Sequence, residues 1–185
     1  MRSVFLEGKQ IYLRAIEKGD VKGNYPQWLN DREVCRNNAH GRFPNSAAKA
    51  ESYVDRVNNS GSDLVLAIVS KKNDRHIGNI ALHGIDWIAR NGEFAIIIGE
   101  KKYWGRGIAK EASGLLLRHA FLALNLHRVY CGTNEKNIAM QGLAAHMGMK
   151  KEGRRRQAFL KDGAYQDIIE YGILRDEYMR RKKAR

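Results

Sequence analysis

The sequence predicts an α/β protein of the α+β type, with a mixed sheet of six to seven strands and helices on both faces. Residues 93–134 show the order strand, glycine turn, long amphipathic helix and strand, which indicates a parallel strand pair joined by a right-handed crossover. Short apolar runs separated by turn residues fill much of the remaining chain, a pattern typical of antiparallel strands. The length of 185 residues fits one domain, expected over residues 1–178 and followed by a basic tail at 179–185.

The individual elements are predicted from local patterns. Strands are expected at residues 10–16, 63–70, 76–87, 93–100, 127–134, 152–161 and 165–174. Helices are expected after Asp20 and Ser46, which are both good N-cap residues, and at residues 108–124 and 138–147, with Gly148 ending the last. The Asn91–Gly92 pair is a strong hairpin signal and predicts a turn at residues 89–92. Residues 180–185 are expected to be solvated and disordered.

Composition narrows the function classes. The net charge of +13 favours polyanionic partners such as coenzyme A, nucleotide sugars or ribosomal RNA. The chain has no long apolar run and no apolar signal core near its start, so we expect a cytoplasmic protein with no membrane contact. Cys35 and Cys131 form no CxxC pair and are expected to stay reduced, and the six histidines show no metal-binding spacing, so no metal is expected.

The most informative stretch is the glycine turn, which we define as residues 104–109 (Trp-Gly-Arg-Gly-Ile-Ala). It follows an apolar strand and precedes a helix, whose first N–H groups lack internal partners and carry partial positive charge. Gly105 and Gly107 let the backbone approach a ligand closely, so the turn predicts a cradle for phosphate or diphosphate. A dinucleotide fingerprint fails because Lys110 stands at its last position, and the Gly-Lys-Ser/Thr of a P-loop is absent.

The glycine turn resembles the pyrophosphate loop of the GNAT superfamily of acyl-CoA-dependent N-acetyltransferases, Gln/Arg-x-x-Gly-x-Gly/Ala, except that Trp104 replaces Gln or Arg. About 30 residues later, residues 134–139 (Asn-Glu-Lys-Asn-Ile-Ala), followed by Gly148-Met149 and Glu152-Gly153, resemble a second pattern of that family. The resemblance covers residues 10–178. Residues 12–14 (Tyr-Leu-Arg) and 171–174 (Tyr-Gly-Ile-Leu) also resemble the branch that acetylates ribosomal-protein N-termini, which includes many small-amine acetyltransferases.

The resemblance implies the GNAT fold and acetyl-CoA as co-substrate. The implied coenzyme-binding residues are Ile97, Ile98, Gly99, Trp104, Gly105, Arg106, Gly107, Ile108, Ala109 and Asn137. Lys110 is a further candidate for phosphate contact, although a solvated charge at the helix start is the favoured interpretation. Asn137 also suits the N-cap of the following helix.

Catalytic candidates come partly from the resemblance and partly from the chemistry of acyl transfer. Glu93 matches a glutamate that serves some family members as general base, which requires burial to raise its pKa. His83 and His119 are further candidate bases. The backbone of Ile97 and Ile98 is the candidate N–H donor to the oxyanion if the strand separates from its neighbour.

The general acid is the open question in the sequence. Many family members place a tyrosine in the last helix, where this chain has Ala144. Tyr103, Tyr130 and Tyr171 are candidate substitutes, and a thiolate also leaves with little assistance because the pKa of a thiol is about 8.5.

Three function classes follow. The first is an N-acetyltransferase that acts on a primary amine, which is either a protein N-terminus (including a ribosomal protein) or a small amine such as an amino sugar. Polyamines are disfavoured because a basic protein repels them unless an acidic pocket intervenes. The alternatives are a basic nucleic-acid- or ribosome-binding domain and a non-catalytic acyl-CoA sensor. The acceptor and the oligomeric state stay open, a homodimer included.

Overall fold

A single eight-stranded sheet organises the computed structural model, which describes residues 3–183, and its strand order is β1-β2-β3-β4-β5-β6-β8-β7. The strands are β1 (Leu6–Glu7), β2 (Ile11–Ala15), β3 (Leu64–Ser70), β4 (Arg75–Asp86), β5 (Asn91–Ile98), β6 (Arg128–Asn134), β7 (Lys150–Lys161) and β8 (Ala164–Leu174). Neighbours are antiparallel except β5 and β6, which confirms the predicted mixed sheet and its parallel pair. The predicted count of six to seven strands was too low, because β1 spans two residues and carries no periodic pattern.

Within residues 3–183, six α-helices pack around the sheet: α1 (Lys18–Val21), α2 (Tyr25–Trp28), α3 (Ala47–Asn58), α4 (Ile108–Leu122), α5 (Ile138–Met147) and α6 (Arg175–Lys183). Ser46 caps α3 as predicted, since its side chain accepts a hydrogen bond from the Lys49 N–H. Gly148 ends α5 with φ 84°, the left-handed conformation that glycine tolerates best.

The helix expected after Asp20 is divided into α1 and α2. Pro26 stands in the first turn of α2, where it starts a new helix and cannot continue the old one. Asp20 is not the N-cap of α1 but lies within its first turn, where its side chain accepts a hydrogen bond from the Glu17 N–H at 2.8 Å.

Two apolar cores lie on opposite faces of the sheet. Leu66, Ile80, Leu82 and Phe94 belong to the core built with α4 and α5. Residues next to them in the same strands, Val65, Ala81, Ala95 and Ile97, belong to or pack against the core built with α1, α2 and α3. This alternation is the period-two pattern of a sheet covered on both sides. We call the side covered by α1–α3 the acceptor face.

The hairpin between β4 and β5 closes earlier than predicted. Asn91 and Gly92 are the first residues of β5 and not the turn itself. The Asp86 carboxylate accepts hydrogen bonds from the Ile88 and Ala89 N–H groups at 2.8 Å, and Arg90 adopts φ 53°. The aspartate therefore nucleates the turn before the Asn-Gly pair is reached.

The tail expected to be disordered is helical as far as Lys183, and residues 184–185 lie outside the described part. Tyr178 packs on Phe121 of α4 with ring centroids 4.9 Å apart. The Arg181 guanidinium donates to the His146 carbonyl at 3.2 Å, near the C-terminal end of α5, where a cation is favourable. These two contacts explain why α6 is folded against the domain.

Within residues 3–183, every helix is too short or too polar to cross a bilayer.

Candidate active site

A gap between β5 and β6 defines the site. The two parallel strands pair only over Asn91–Glu93 and Arg128–Tyr130. Beyond Glu93, β5 remains paired with β4 as far as Ile98, which lies opposite Gly78. One edge of β5 therefore has no strand partner over its last residues, so main-chain groups there are available to a ligand.

The peptide groups at the end of β5 point in known directions. The Gly99 N–H donates to the Ile77 carbonyl of β4 at 3.0 Å. Because successive residues of a strand direct their N–H and C=O groups to opposite sides, Ile97 faces β4 and Ile98 faces the gap. Of the two predicted oxyanion donors, the structure places the Ile98 N–H in the gap and turns the Ile97 N–H away from it.

The glycine turn lies directly after this strand end. Gly105 and Gly107 have φ values of 70° and 78°, and Gly107 is the N-cap of α4. A Cβ at either position would meet no atom within 4 Å, so the ligand-facing side of the turn is open. Arg106 is exposed, and Ile108 is buried under α4 where it anchors the helix. The first N–H groups of a 15-residue helix thus face open space beside the gap, an arrangement that suits a diphosphate.

Four side chains form a row across the acceptor face, which we call the cross-strand row: Asp63, His83, Glu93 and Tyr130. His83 lies opposite Glu93 in the β4–β5 register, and Glu93 lies opposite Tyr130 in the β5–β6 register. Asp63 precedes β3 and accepts a hydrogen bond from His83 Nδ1 at 2.9 Å. Glu93 is exposed, so the burial expected for a general base at this position is not observed.

Comparisons with known proteins agree with this geometry. The family model of the acetyltransferase (GNAT) domain matches residues 10–150. This chain belongs to the GNAT acetyltransferase family.

Full-length relatives and solved structures support the same assignment. The chain is 28% identical over 174 residues to a spermidine N(1)-acetyltransferase of Vibrio cholerae, covering 94% of this chain and 98% of that one. It is 30% identical over 179 residues to an uncharacterised N-acetyltransferase from the SPbeta prophage of Bacillus subtilis, covering 96% and 97%. The crystal structure of the Vibrio cholerae spermidine N-acetyltransferase with CoA and spermine matches with a TM-score of 0.83 and 26% identity, covering 92% of this chain and 98% of that one. Among the three function classes, the comparisons support the acetyl-CoA-dependent acyltransferase.

Trp104 departs from the family pattern and makes a contact of its own in this acetyltransferase. Its indole Nε1 donates to the Ile98 carbonyl at 2.8 Å. Trp104, at the position usually taken by Gln or Arg, therefore links the glycine turn to the open edge of β5 by a hydrogen bond. The ring remains 41% exposed, so it also forms part of the surface at the gap.

In the second family pattern, Asn137 acts as the N-cap of α5. The Asn137 side chain accepts a hydrogen bond from the Met140 N–H at 3.2 Å, at the start of α5. Ala144 of α5 is fully buried in the core formed with α4, and its methyl group cannot act as an acid.

Of the three candidate tyrosines, Tyr130 lies in the cross-strand row, and Tyr103 and Tyr171 lie elsewhere. The Tyr103 hydroxyl donates to Asn73 at 3.2 Å, and hydrogen bonding to Ser70 lowers its pKa. Both partners lie at the β3–β4 turn, on the far side of β5 from the gap, so this geometry does not favour Tyr103 as the acid. Tyr171 donates to Gln141 of α5 at 3.3 Å. His119, the other candidate base, contacts the Phe5 ring at 4.9 Å, and burial lowers its pKa.

Sequence reasoning missed Glu100 and Asn24, which together with Trp28 join the strand end to the acceptor-side helices. The nearly buried Glu100 carboxylate accepts hydrogen bonds from Asn24 at 2.7 Å and from Trp28 at 3.3 Å. Desolvation raises the pKa of Glu100, but these hydrogen bonds and nearby cations lower it more. A Cβ on Gly99 would lie 1.8 Å from the Trp28 ring, so the glycine allows α2 to pack closely against the end of β5.

Lys101 extends the same connection. Its ammonium lies 2.9 Å from both Asp31 and Glu33, in the turn after α2. Only the tertiary fold brings residues 24–33 to residues 99–101, so no local sequence signal could have identified these contacts.

Neither cysteine is in a disulfide: Cys35 and Cys131 are buried free thiols. Within residues 3–183, no three His, Cys, Asp or Glu side chains come together as metal ligands.

Proposed function

We propose that this GNAT acetyltransferase transfers an acetyl group to the primary amine of a small molecule by direct attack, with both substrates bound at once. The observation that carries the proposal is the pairing of two open main-chain sites. The Ile98 N–H faces the gap on one side, and the open glycine turn adjoins it on the other. The acceptor face then supplies the second substrate site.

The main chain does most of the binding. The N–H groups at the start of α4 hold the diphosphate, and Arg106 adds a positive charge beside them. The Ile98 N–H donates to the thioester oxygen, where negative charge develops during attack. The coenzyme supplies the acetyl thioester and a good leaving group.

Proton transfer falls to the acceptor face. An ammonium has no lone pair, so the acceptor must lose a proton before it attacks. The candidate bases, Glu93 and His83, lie opposite each other in the cross-strand row. Glu93 lies five residues before Ile98, about 16 Å along an extended strand, so proton transfer from the amine to either group runs through water. The reaction needs no general acid at the position of Ala144, because the leaving group is a thiolate whose thiol has a pKa of about 8.5.

Negative charge on the acceptor face favours a small cationic amine as the acetyl acceptor, despite the net charge of +13 of the whole chain. Glu93 is the exposed carboxylate of the cross-strand row, whereas Asp63 and Glu170 on the same face already pair with Arg56 and Arg155. Carboxylates attract an ammonium locally even where the distant surface is basic. The similarity to a spermidine acetyltransferase agrees with this acceptor class, and polyamines therefore return as candidates.

The test is a binding and turnover screen. Calorimetry with acetyl-CoA should show saturable binding, and the bound coenzyme should raise the melting temperature by mass action. Release of CoA is then measured with spermidine, glucosamine and a peptide with a free N-terminus. Turnover of a small amine supports the proposal. Turnover of the peptide alone would replace the small amine by a protein N-terminus, and failure to bind acetyl-CoA would refute the proposed function.

A further inference from the structure

The pair formed by Asp63 and His83 has the geometry of an oriented base. Asp63 Oδ1 and His83 Nδ1 are 2.9 Å apart. Among residues 3–183, His83 Nε2 forms no hydrogen bond, and the His83 side chain is 33% exposed on the acceptor face. A carboxylate that accepts from Nδ1–H fixes the imidazole tautomer and leaves the Nε2 lone pair free to take a proton.

Asp63 is itself held firmly in the ionised form. Partial burial raises the pKa of Asp63, but hydrogen bonds from His83, Ser60 and the Gly84 N–H lower it more. The Ser60 hydroxyl lies 3.0 Å from Oδ2, and the Gly84 N–H lies 3.3 Å from Oδ1. The carboxylate is thus fixed by the loop after α3 and by the bend of β4, and its orientation is set before any substrate arrives.

The other charged groups around His83 come from three elements. From α3, Arg56 lies 3.4 Å from Asp63 Oδ2 and stacks over the Tyr53 ring. From β5, Glu93 stands directly opposite His83. From β6, Tyr130 follows in the same row, with the Arg128 guanidinium 5.6 Å from its ring. Two carboxylates therefore lie beside the imidazole: Asp63 through a hydrogen bond and Glu93 through the strand register.

We propose that His83 is the proton acceptor for the amine substrate and that Asp63 is its positioning residue. The inference rests on the proposed function and adds two residues to it. The proton leaves the acceptor ammonium nitrogen and, through water, bonds to His83 Nε2, and the freed lone pair forms the N–C bond to the thioester carbonyl carbon. The C–S bond breaks, its electron pair leaves on sulfur, and the second proton of the attacking nitrogen neutralises the thiolate. Glu93 stabilises the resulting imidazolium across the strand pair.

A purely structural role for Asp63 predicts different behaviour. In that role it would only join the loop after α3 to β4, and its loss would lower stability without changing the state of the imidazole. The experiment must therefore report on the His83 ring itself as well as on turnover.

The experiment compares Asp63→Asn, His83→Gln and Asp55→Asn with the wild type. Asp55 is an exposed aspartate of α3 that pairs with Lys18, so Asp55→Asn is a control for the loss of a surface carboxylate. Nitrogen-15 NMR of the full-length protein reports the His83 tautomer. Steady-state kinetics use acetyl-CoA with spermidine as the probe amine across pH 5–9, and calorimetry measures acetyl-CoA affinity.

The expected results are specific. The wild type holds neutral His83 as the Nδ1–H tautomer, and Asp63→Asn converts it to a mixture. His83→Gln lowers kcat about 100-fold and Asp63→Asn about 10-fold, while acetyl-CoA affinity stays within twofold. Asp55→Asn behaves like the wild type.

Two results would overturn the inference: an unchanged His83 tautomer in Asp63→Asn, or a kcat for His83→Gln within twofold of the wild type. Loss of acetyl-CoA binding by the wild type would instead refute the proposed function. The tautomer measurement needs neither substrate, so it separates the two failures.

Discussion

The coenzyme side and the acceptor face of this acetyltransferase are built in different ways. In the proposed function, the coenzyme side uses main-chain groups of one continuous stretch, from the end of β5 through the glycine turn into α4. The acceptor face uses side chains that start far apart in the chain, such as Asp63, His83 and Glu93, and meet only through strand register. A main-chain site tolerates sequence change, as Trp104 shows, whereas a side-chain row depends on each residue.

The first way to test this contrast is to block the main-chain cradle. Gly107→Val should weaken acetyl-CoA binding about 100-fold or more. It places a side chain on the open side of the turn and strains a residue at φ 78°, which removes one or two charge-assisted hydrogen bonds to phosphate. Calorimetry measures the dissociation constant.

Gly163→Val is the matched control, because Gly163 also has positive φ (76°) and open space around its Cβ but lies in the β7–β8 turn. Equal loss of affinity in both variants would show that backbone strain alone, and not the cradle, is responsible.

The second variant acts on the acceptor face only. Glu93→Gln should lower kcat about 30- to 100-fold and leave acetyl-CoA affinity within twofold, because it removes the carboxylate opposite His83 that stabilises the proposed imidazolium, without touching the glycine turn. Steady-state kinetics with the best amine from the screen provide the measurement. If acetyl-CoA affinity and kcat fell together, the coenzyme side and the acceptor face would not act independently.

The contrast also explains what the sequence could predict. Residues 93–109 carry strand, turn and helix signals in one window, so β5, the glycine turn and the start of α4 were predictable from local pattern, while the roles of the cradle and of Ile98 stay predictions. The His83–Asp63 pair was not, because a shift of one residue in register would move either side chain to the opposite face. The Asn91–Gly92 signal failed for a related reason, since the Asp86 side chain closed the turn first.

Trp104 tests whether the coenzyme side depends on any side chain. Trp104→Phe keeps an aromatic ring but removes the indole N–H that donates to the Ile98 carbonyl at 2.8 Å. A single hydrogen bond contributes about 1 kcal/mol net, so acetyl-CoA affinity should fall about fivefold. Affinity equal to the wild type would mean that the main chain alone positions the turn.

The smallest effect is expected where the two regions are joined. Lys101 follows β5 on the coenzyme side and contacts Asp31 and Glu33 next to α2 on the acceptor side, each at 2.9 Å. Exposed ion pairs contribute little, so Lys101→Met should raise KM for the amine only about twofold and leave acetyl-CoA affinity unchanged. Lys102→Met, one residue further on, is the control, since Lys102 lies 3.9 Å from Glu100 and makes no ion pair with the turn after α2. A larger rise in the amine KM for Lys101→Met than for Glu93→Gln would mean that the acceptor face is shaped chiefly through its connection to the coenzyme side, and the two regions would then act as one.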